Sequence, residues 1–511
     1  MNKATAELFS GPQHTVIHLS QPAPPHAFTA HWLAPGATRG LTLERRKKLV
    51  RLVAASGVLP NMVVALQAAG FVGGASQALK AAAGAGQLPM CQWLWDNIHS
   101  RTEDPYDIFL ADDALEAAAA GGHRSVCEWL LALGRLALHN RAMFAAAKGG
   151  HADLAEWLIP QRFNFIEDAH LYLQGSAHGC DLPALQRAWL RFGPSLDLTK
   201  KGGVLTSTFR CPAPDWAAKA EWLEAQGCPR VQWASEVAVG LPDDGEALDR
   251  LIWLLGRGYP AAAGLVSRAA LYGNMVVLQY LLARMPMLGD AHAEAELVEA
   301  AAAGGQLAML QALHAAGLPL HRHVQAAAGP AARGGHVHVQ TWLLEALGPA
   351  AVVRSGGLVT AAVESGSMEL LAWLRHHGCH CDCGAYTSAA EAGWEAALEW
   401  LAEQGCPMPA SGQPYVAACR NGDLATATCL RRLGVPWGPV GSVLGAGAAE
   451  RPIDPIPLPL LRWLLKEGCP VDYKAFRERV LACNAVWPWW EDEVLQLLEE
   501  YRGHWHPSYD H

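Results

Sequence analysis

The sequence predicts an all-α fold, a solenoid of about 13–14 degenerate helix-turn-helix repeats. Three recurring marks carry that expectation. The first is a ladder of Trp-Leu pairs led by Trp93, Trp129, Trp157, Trp189, Trp222, Trp253, Trp342, Trp373, Trp400 and Trp463, with Tyr280, Ala312 and Cys429 as substituted rungs. The second is a glycine seven residues before the rung: Gly86, Gly122, Gly150, Gly273, Gly305, Gly335, Gly366, Gly393 and Gly422. The third is a glycine five residues after it, as at Gly227, Gly258, Gly317, Gly405, Gly434 and Gly468, often followed by an X-Pro pair such as Cys228-Pro229 or Cys406-Pro407. Twelve steps lead from position 93 to position 463, a mean period of about 31 residues.

Each mark has a physical reading. Ala-rich runs such as Ala117–Ala120 and Ala300–Ala303 favour helix and let neighbouring helices approach closely. The first glycine ends that helix in the left-handed conformation. A second helix then carries apolar residues three before the rung, at the rung and one after it, as in Val126, Trp129 and Leu130, which makes one buried stripe. The second glycine and the proline stop it. One such pair cannot bury both faces, so copies must stack.

Composition agrees with stacking. The 511 residues exceed what one compact core holds; hydrophobic residues are 51% and charged residues 17%, opposite to a disordered chain. The net charge of −9 argues against a nucleic-acid partner driven by basic excess. Thirteen scattered Cys, with no secretory leader in the first residues, predict free thiols and a cytoplasmic or nuclear location. Residues 52–79 carry no charge, but Gly57, Pro60, Asn61, Gly70, Gly73 and Gly74 interrupt them, so no transmembrane segment is expected.

In chain order, residues 1–40 fit no repeat, and 41–80 form an N-terminal capping repeat. Its basic run Arg45-Arg46-Lys47-Lys48 is read as a solvated helix face. The array spans 81–470; it is degenerate at 160–250, where Phe163–His170 and Pro194–Thr208 read as long loops or divergent repeats, and it has a Gly/Pro-rich loop at 436–458. Residues 471–511 supply a capping helix and tail.

Ala146-Ala147-Lys148-Gly149-Gly150-His151 followed by Leu154 and Trp157-Leu158, and Gly335-His336 followed by Val339 and Trp342-Leu343, resemble the ankyrin repeat. The period resembles it too, with Gly-Cys-Pro replacing Gly-Ala-Asp. The family's Thr-Pro-Leu-His is missing: Asp113-Ala114-Leu115-Glu116 and Arg141-Ala142-Met143-Phe144 stand in its place. The resemblance implies a protein-protein interaction scaffold that binds a partner protein on the concave face, and a His after the turn glycine that caps the turn. It also opens two alternatives. One is a sphingomyelin phosphodiesterase-related protein, a grouping for which no catalytic site is visible. The other is a truncated F-box-type ubiquitin-ligase adaptor, with 1–40 as the remnant.

No phosphate loop, nucleophile elbow, zinc-protease or dinucleotide motif is present, so a non-enzyme without cofactor or metal is expected, acting as a monomer. Trp93, Trp129, Trp157, Trp222, Trp253, Trp342, Trp373, Trp400 and Trp463 are assigned to the repeat core, and the nine turn glycines to structure. Cys379-His380-Cys381-Asp382-Cys383 offers metal-ligand chemistry, but its spacing is too tight for paired zinc thiolates, and Cys379 fills the ordinary turn slot. His504, His506, Asp510 and His511 are read as a terminal tail. Trp487, Trp489 and Trp490 fall off the ladder and are the candidate partner-binding residues.

Overall fold

In the computed structural model the described residues are 18–99, 107–134, 140–159, 168–262, 264–284, 291–348, 357–445, 456–482 and 488–502. Among them the regular structure is helical, and one isolated antiparallel bridge joins Phe71 to Asp423. The chain divides into two compact units. One comprises Met1–Ala142, Ala418–Thr428 and Pro439–His511; the other comprises Met143–Ala417 and Cys429–Gly438.

The helices come in pairs. The first helix of each pair is Ala-rich and stacks on the first helix of the next pair. Gly74–Gly84 on Asp107–Ala120 does this in one unit; Leu265–Tyr272, Ala291–Ala303, Val324–Arg333 and Leu358–Ser365 do so in succession in the other. Buried Ala78, Ala82, Ala118, Ala269, Ala270, Ala301 and Ala302 form these seams. All nine turn glycines have positive φ, between 58° and 84°.

The glycine just before the turn glycine serves a different purpose. A Cβ on Gly304 would land on the Leu271 carbonyl oxygen, and one on Gly121 would lie 2.6 Å from that of Gly84. The ends of successive first helices therefore touch backbone to backbone. Side chains of the next residue bridge the same gap: His123 Nε2 donates to Gly84 O at 3.1 Å and His336 Nε2 to Ala303 O at 3.0 Å. These histidines satisfy a helix-end carbonyl of the preceding repeat rather than capping their own turn.

The ladder is a half-buried stripe. Trp93, Trp129, Trp157, Trp222, Trp253, Trp342, Trp373, Trp400 and Trp463 are each partly exposed, whereas the Leu after each is buried. The apolar centre of the second helix is that Leu, and the Trp before it stays partly open to solvent. At 189–190 the register changes: Trp189 is buried and Leu190 is 78% exposed.

The 160–250 region is more regular than expected. It contains three pairs, Ala169–Gly179 with Leu182–Phe192, Leu198–Thr208 with Trp216–Ala225, and Trp233–Val239 with Asp244–Gly256. The stretch Pro194–Thr208, read as a long loop or a divergent repeat, is helical from Leu198. Asp197 caps it, accepting from Lys200 N at 2.8 Å. Its Gly202-Gly203 pair reads as a breaker but answers close packing: a Cβ on Gly203 would lie 2.7 Å from Gln174 Nε2, and one on Gly202 would lie 3.0 Å from Val231. Much of Phe163–His170 lies outside the described residues. In the expected loop at 436–458, Ser442–Gly445 is a helical turn.

The charge-free stretch 52–79 is shared by the helices Leu43–Ser56, Leu59–Ala69 and Gly74–Gly84, broken at Gly57 and Gly70, both left-handed. Among the described residues no helix is long and apolar enough to cross a membrane.

Two expectations need correction. Arg46 belongs to the run read as a solvated face, yet it is 1% exposed. Its guanidinium is paired with both carboxylate oxygens of buried Asp423, 377 positions away, and donates to Ala69 O at 2.6 Å. Around it Val72 N donates to Gly422 O at 2.9 Å, and Ala425 N to Gly70 O at 3.2 Å. Arg46 shares the stripe of buried Leu43, Leu49, Val50 and Val53, so helical spacing turns it inward; only its charge makes it read as surface. The thiols are likewise not all free: Cys381 and Cys406, with Cα atoms 5.5 Å apart, form a disulfide between neighbouring repeat ends.

Candidate macromolecule-binding surface

Three features of the second unit depart from plain repeat architecture. The first concerns the position three residues before the rung, which is buried and apolar in most repeats, as with Val126, Leu154, Val277, Met309, Val339 and Leu370. In two consecutive repeats it holds Lys219 and Arg250, 0% and 1% exposed. Both point at the turn 209–215, whose Cys211-Pro212-Ala213-Pro214 replaces the Gly-Gly-His turn. Arg250 donates to Phe209 O at 3.0 Å and to Cys211 O at 2.9 Å, pairs with Glu246, and lies 4.6 Å from the Trp216 ring centre. A turn longer than its neighbours leaves carbonyls facing the core, and Arg250 satisfies two of them. Lys219 Nζ lies 3.0 Å from Asp215 Oδ1 and 3.2 Å from Cys211 Sγ.

The second feature is a charged and aromatic cluster on the second helices. Glu224 takes Arg257 at 2.7 Å, Arg230 at 3.1 Å and the Tyr259 hydroxyl at 2.8 Å. Burial pushes the Glu224 carboxyl up, but the hydrogen bonds from Arg257, Arg230 and Tyr259 outweigh it and hold the group down at about 2. Burial and the bond to Glu224 push the Tyr259 phenol above its usual range. Arg257 covers the Trp253 ring at 4.6 Å, and Trp253 meets Trp216 edge-on at 5.3 Å. Both Glu224 oxygens take donors from this cluster, which ties the ends of two successive repeats together.

The third feature is an exposed apolar group at the turns of the pairs Trp233–Val239 with Asp244–Gly256 and Leu265–Tyr272 with Met275–Leu282. Tyr272 is 49% exposed and Val276 46%, with Leu271 beside them. The Tyr272 ring rests against Gly240 of the preceding repeat: a Cβ there would lie 3.3 Å from Cε2. Arg268 and Glu236, 3.5 Å apart, border the group on the first helices. An aromatic packed against a glycine, with apolar neighbours and a charged rim, has the composition of an interface centre.

Sequence reasoning missed all three features. A signal for the first was available, since a charged residue in an otherwise apolar slot stands out once the ladder is aligned. For the third there was none, because Leu271, Tyr272 and Val276 look like ordinary core residues until the helix is rotated. Of the residues proposed for partner binding, Trp487 and the side chains of Trp489 and Trp490 lie outside the described residues; the last two belong to the helix Pro488–Arg502. That helix buries Val494, Leu497 and Leu498. In the cysteine-rich stretch, Cys379 is buried in its turn slot, Cys381 is bonded to Cys406, and Cys383 is exposed. The histidines 504, 506 and 511 lie outside the described residues.

No protein-family model matches the chain, and no curated protein matches it. Solved structures do. The maize pentatricopeptide repeat protein PPR10 is similar at 14% identity, with 98% of this chain and 82% of that one covered and a TM-score of 0.26. PPR10 in complex with an 18-nt psaJ RNA element is similar at 14% identity, covering 93% and 85%, with a TM-score of 0.27. A cysteine-substituted PPR10 in the same kind of complex gives the same figures. The chain is a helical repeat protein of the all-α class. Net charge alone does not exclude a nucleic-acid partner, and that exclusion is withdrawn. A charge of −9 averages over the whole chain, while a repeat array presents each of its faces separately.

Proposed function

We propose that the chain is a non-enzymatic binding scaffold of the ankyrin type whose partner is a protein, engaged through the inter-repeat turns around Tyr272. The observation that carries this is the exposed Leu271, Tyr272 and Val276 group seated on Gly240. Exposed apolar side chains clustered at one turn are costly in water and favour a partner surface. The stacked backbone beneath holds them rigid, so little side-chain entropy is lost on binding. The ankyrin reading is supported by the Gly-Gly-His turns, by His123 and His336, which tie their turns to the one before, and by the period of about 31 residues.

The test is affinity capture from a native extract with the full chain and with a Leu271→Ser/Tyr272→Ser/Val276→Ser variant. These positions are exposed, so the variant should keep its helical circular dichroism. A protein retained by the wild type and lost by the variant supports the reading. Equal retention by both overturns the assigned surface. Capture of RNA that survives protease treatment, with no protein retained, overturns the partner class.

A further inference from the structure

Lys219 and Arg250 occupy the same slot of consecutive repeats, but their chemistry differs. Arg250 answers two turn carbonyls and so has a structural task. Lys219 donates to no backbone carbonyl among the contacts its nitrogen makes; its neighbours are the Asp215 carboxylate and the Cys211 thiol. Burying an ammonium costs several kcal/mol, and the apolar residues found in this slot elsewhere would fill it without that cost. Cys211 is 0% exposed, and apart from Lys219 its sulfur has only the Ala213 carbonyl, at 3.9 Å. A buried amine nitrogen thus faces a buried thiol sulfur at 3.2 Å, with a partly exposed carboxylate 3.0 Å from the nitrogen to receive a proton.

From this juxtaposition we infer that Cys211 and Lys219 form an oxidative modification site, in which dioxygen joins them through a covalent S–O–N bridge. The balance is Cys-SH + Lys-NH3⁺ + O2 → Cys-S-O-NH-Lys + H2O + H⁺. The S–H bond and two N–H bonds break, and S–O and O–N bonds form. Sulfur and nitrogen each give up two electrons; dioxygen takes all four, one oxygen entering the bridge and the other leaving as water. The ammonium proton goes to Asp215. Dioxygen is small and apolar, so it reaches a buried site that excludes charged oxidants. The bridge ties the Pro-rich turn to the helix Trp216–Ala225, and excess dithiothreitol reverses it by reduction.

The experiment is peptide mass mapping of the full chain, purified in air without thiols, then unfolded, alkylated with iodoacetamide and digested with trypsin. Bridging blocks cleavage after Lys219 and alkylation of Cys211. It leaves one peptide, from Cys211 to Arg230, that is heavier by one oxygen less two hydrogens and carries a single alkyl group, on Cys228. The expected result is that this peptide appears in the air-purified chain and is replaced, after dithiothreitol, by two shorter peptides, each alkylated once. In Lys219→Met, whose side chain suits the slot, Cys211 should be fully alkylated throughout. Complete alkylation of Cys211 and complete cleavage after Lys219 in the air-exposed wild type would overturn the inference. So would a Cys211 that stays equally unreactive in Lys219→Met, since its oxidation would then not involve the lysine.

Discussion

Replacing Asp423 with Asn should open the contact between residues 70–72 and 422–425 without disturbing distant repeats. In the wild type Arg46 is buried with Asp423 and Ala69 O as its charged and neutral acceptors. Asn leaves a buried guanidinium without an opposite charge, which costs about 3–5 kcal/mol. Asp423 also accepts from Thr426 N at 3.2 Å and from Thr426 Oγ1 at 2.6 Å; Asn caps a helix start about as well as Asp, so the loss in this variant is that of the charge. Arg46→Met removes the cation but leaves Asp423 with those two donors, and should cost about 3 kcal/mol, the low end of that range. The readout is native-state hydrogen exchange at the Val72 and Ala425 amides, which bond to Gly422 O and Gly70 O. A loss of about 3 kcal/mol raises their exchange about a hundredfold or more. The Arg46→Met/Asp423→Asn double variant should lose less than the two single losses added together, because neither charge is left alone. Exchange at both amides within about twofold of wild type in Asp423→Asn would refute the reasoning.

Further expectations follow from the packing and the titrating groups. Gly304→Ala, whose Cβ would land on Leu271 O, should destabilise by about 1–3 kcal/mol, while Gly264→Ala, with open space around it, should be neutral within about 0.5 kcal/mol; chemical denaturation of both reads the difference. Glu224, held at about 2, contributes stability that is fully present above the ordinary carboxylate pKa and is lost as pH falls toward 2; Glu224→Gln should remove on the order of 2 kcal/mol at neutral pH and flatten that acid limb. Burial pushes Cys91, Cys127, Cys228 and Cys469 up to about 12, so in the native chain at pH 8 iodoacetamide should label exposed Cys383 and leave those four until unfolding.

The repeat was legible because its marks are local. Glycine at positive φ, Ala-rich seams and a Leu after each Trp are requirements of one helix pair, and each copy writes them again. What was not legible depends on neighbours in space. The Gly202-Gly203 pair reads as a breaker until Gln174 and Val231 are seen against it. Arg46 reads as surface until Asp423 arrives from the far end of the sequence. The ladder aligned at Trp189-Leu190 by sequence, but the helix there turns Leu190 outward. For the candidate surface the sequence pointed to inter-repeat turns as a class. It could not single out Tyr272, because the feature that exposes the ring is a glycine one repeat earlier.

The binding claim is tested most directly by hydrogen exchange of the full chain, free and with its captured protein partner. The account predicts slowed exchange concentrated at residues 268–280 and at the neighbouring turn 236–241, with the Leu271→Ser/Tyr272→Ser/Val276→Ser variant showing none. A partner that binds while these segments exchange unchanged would contradict it.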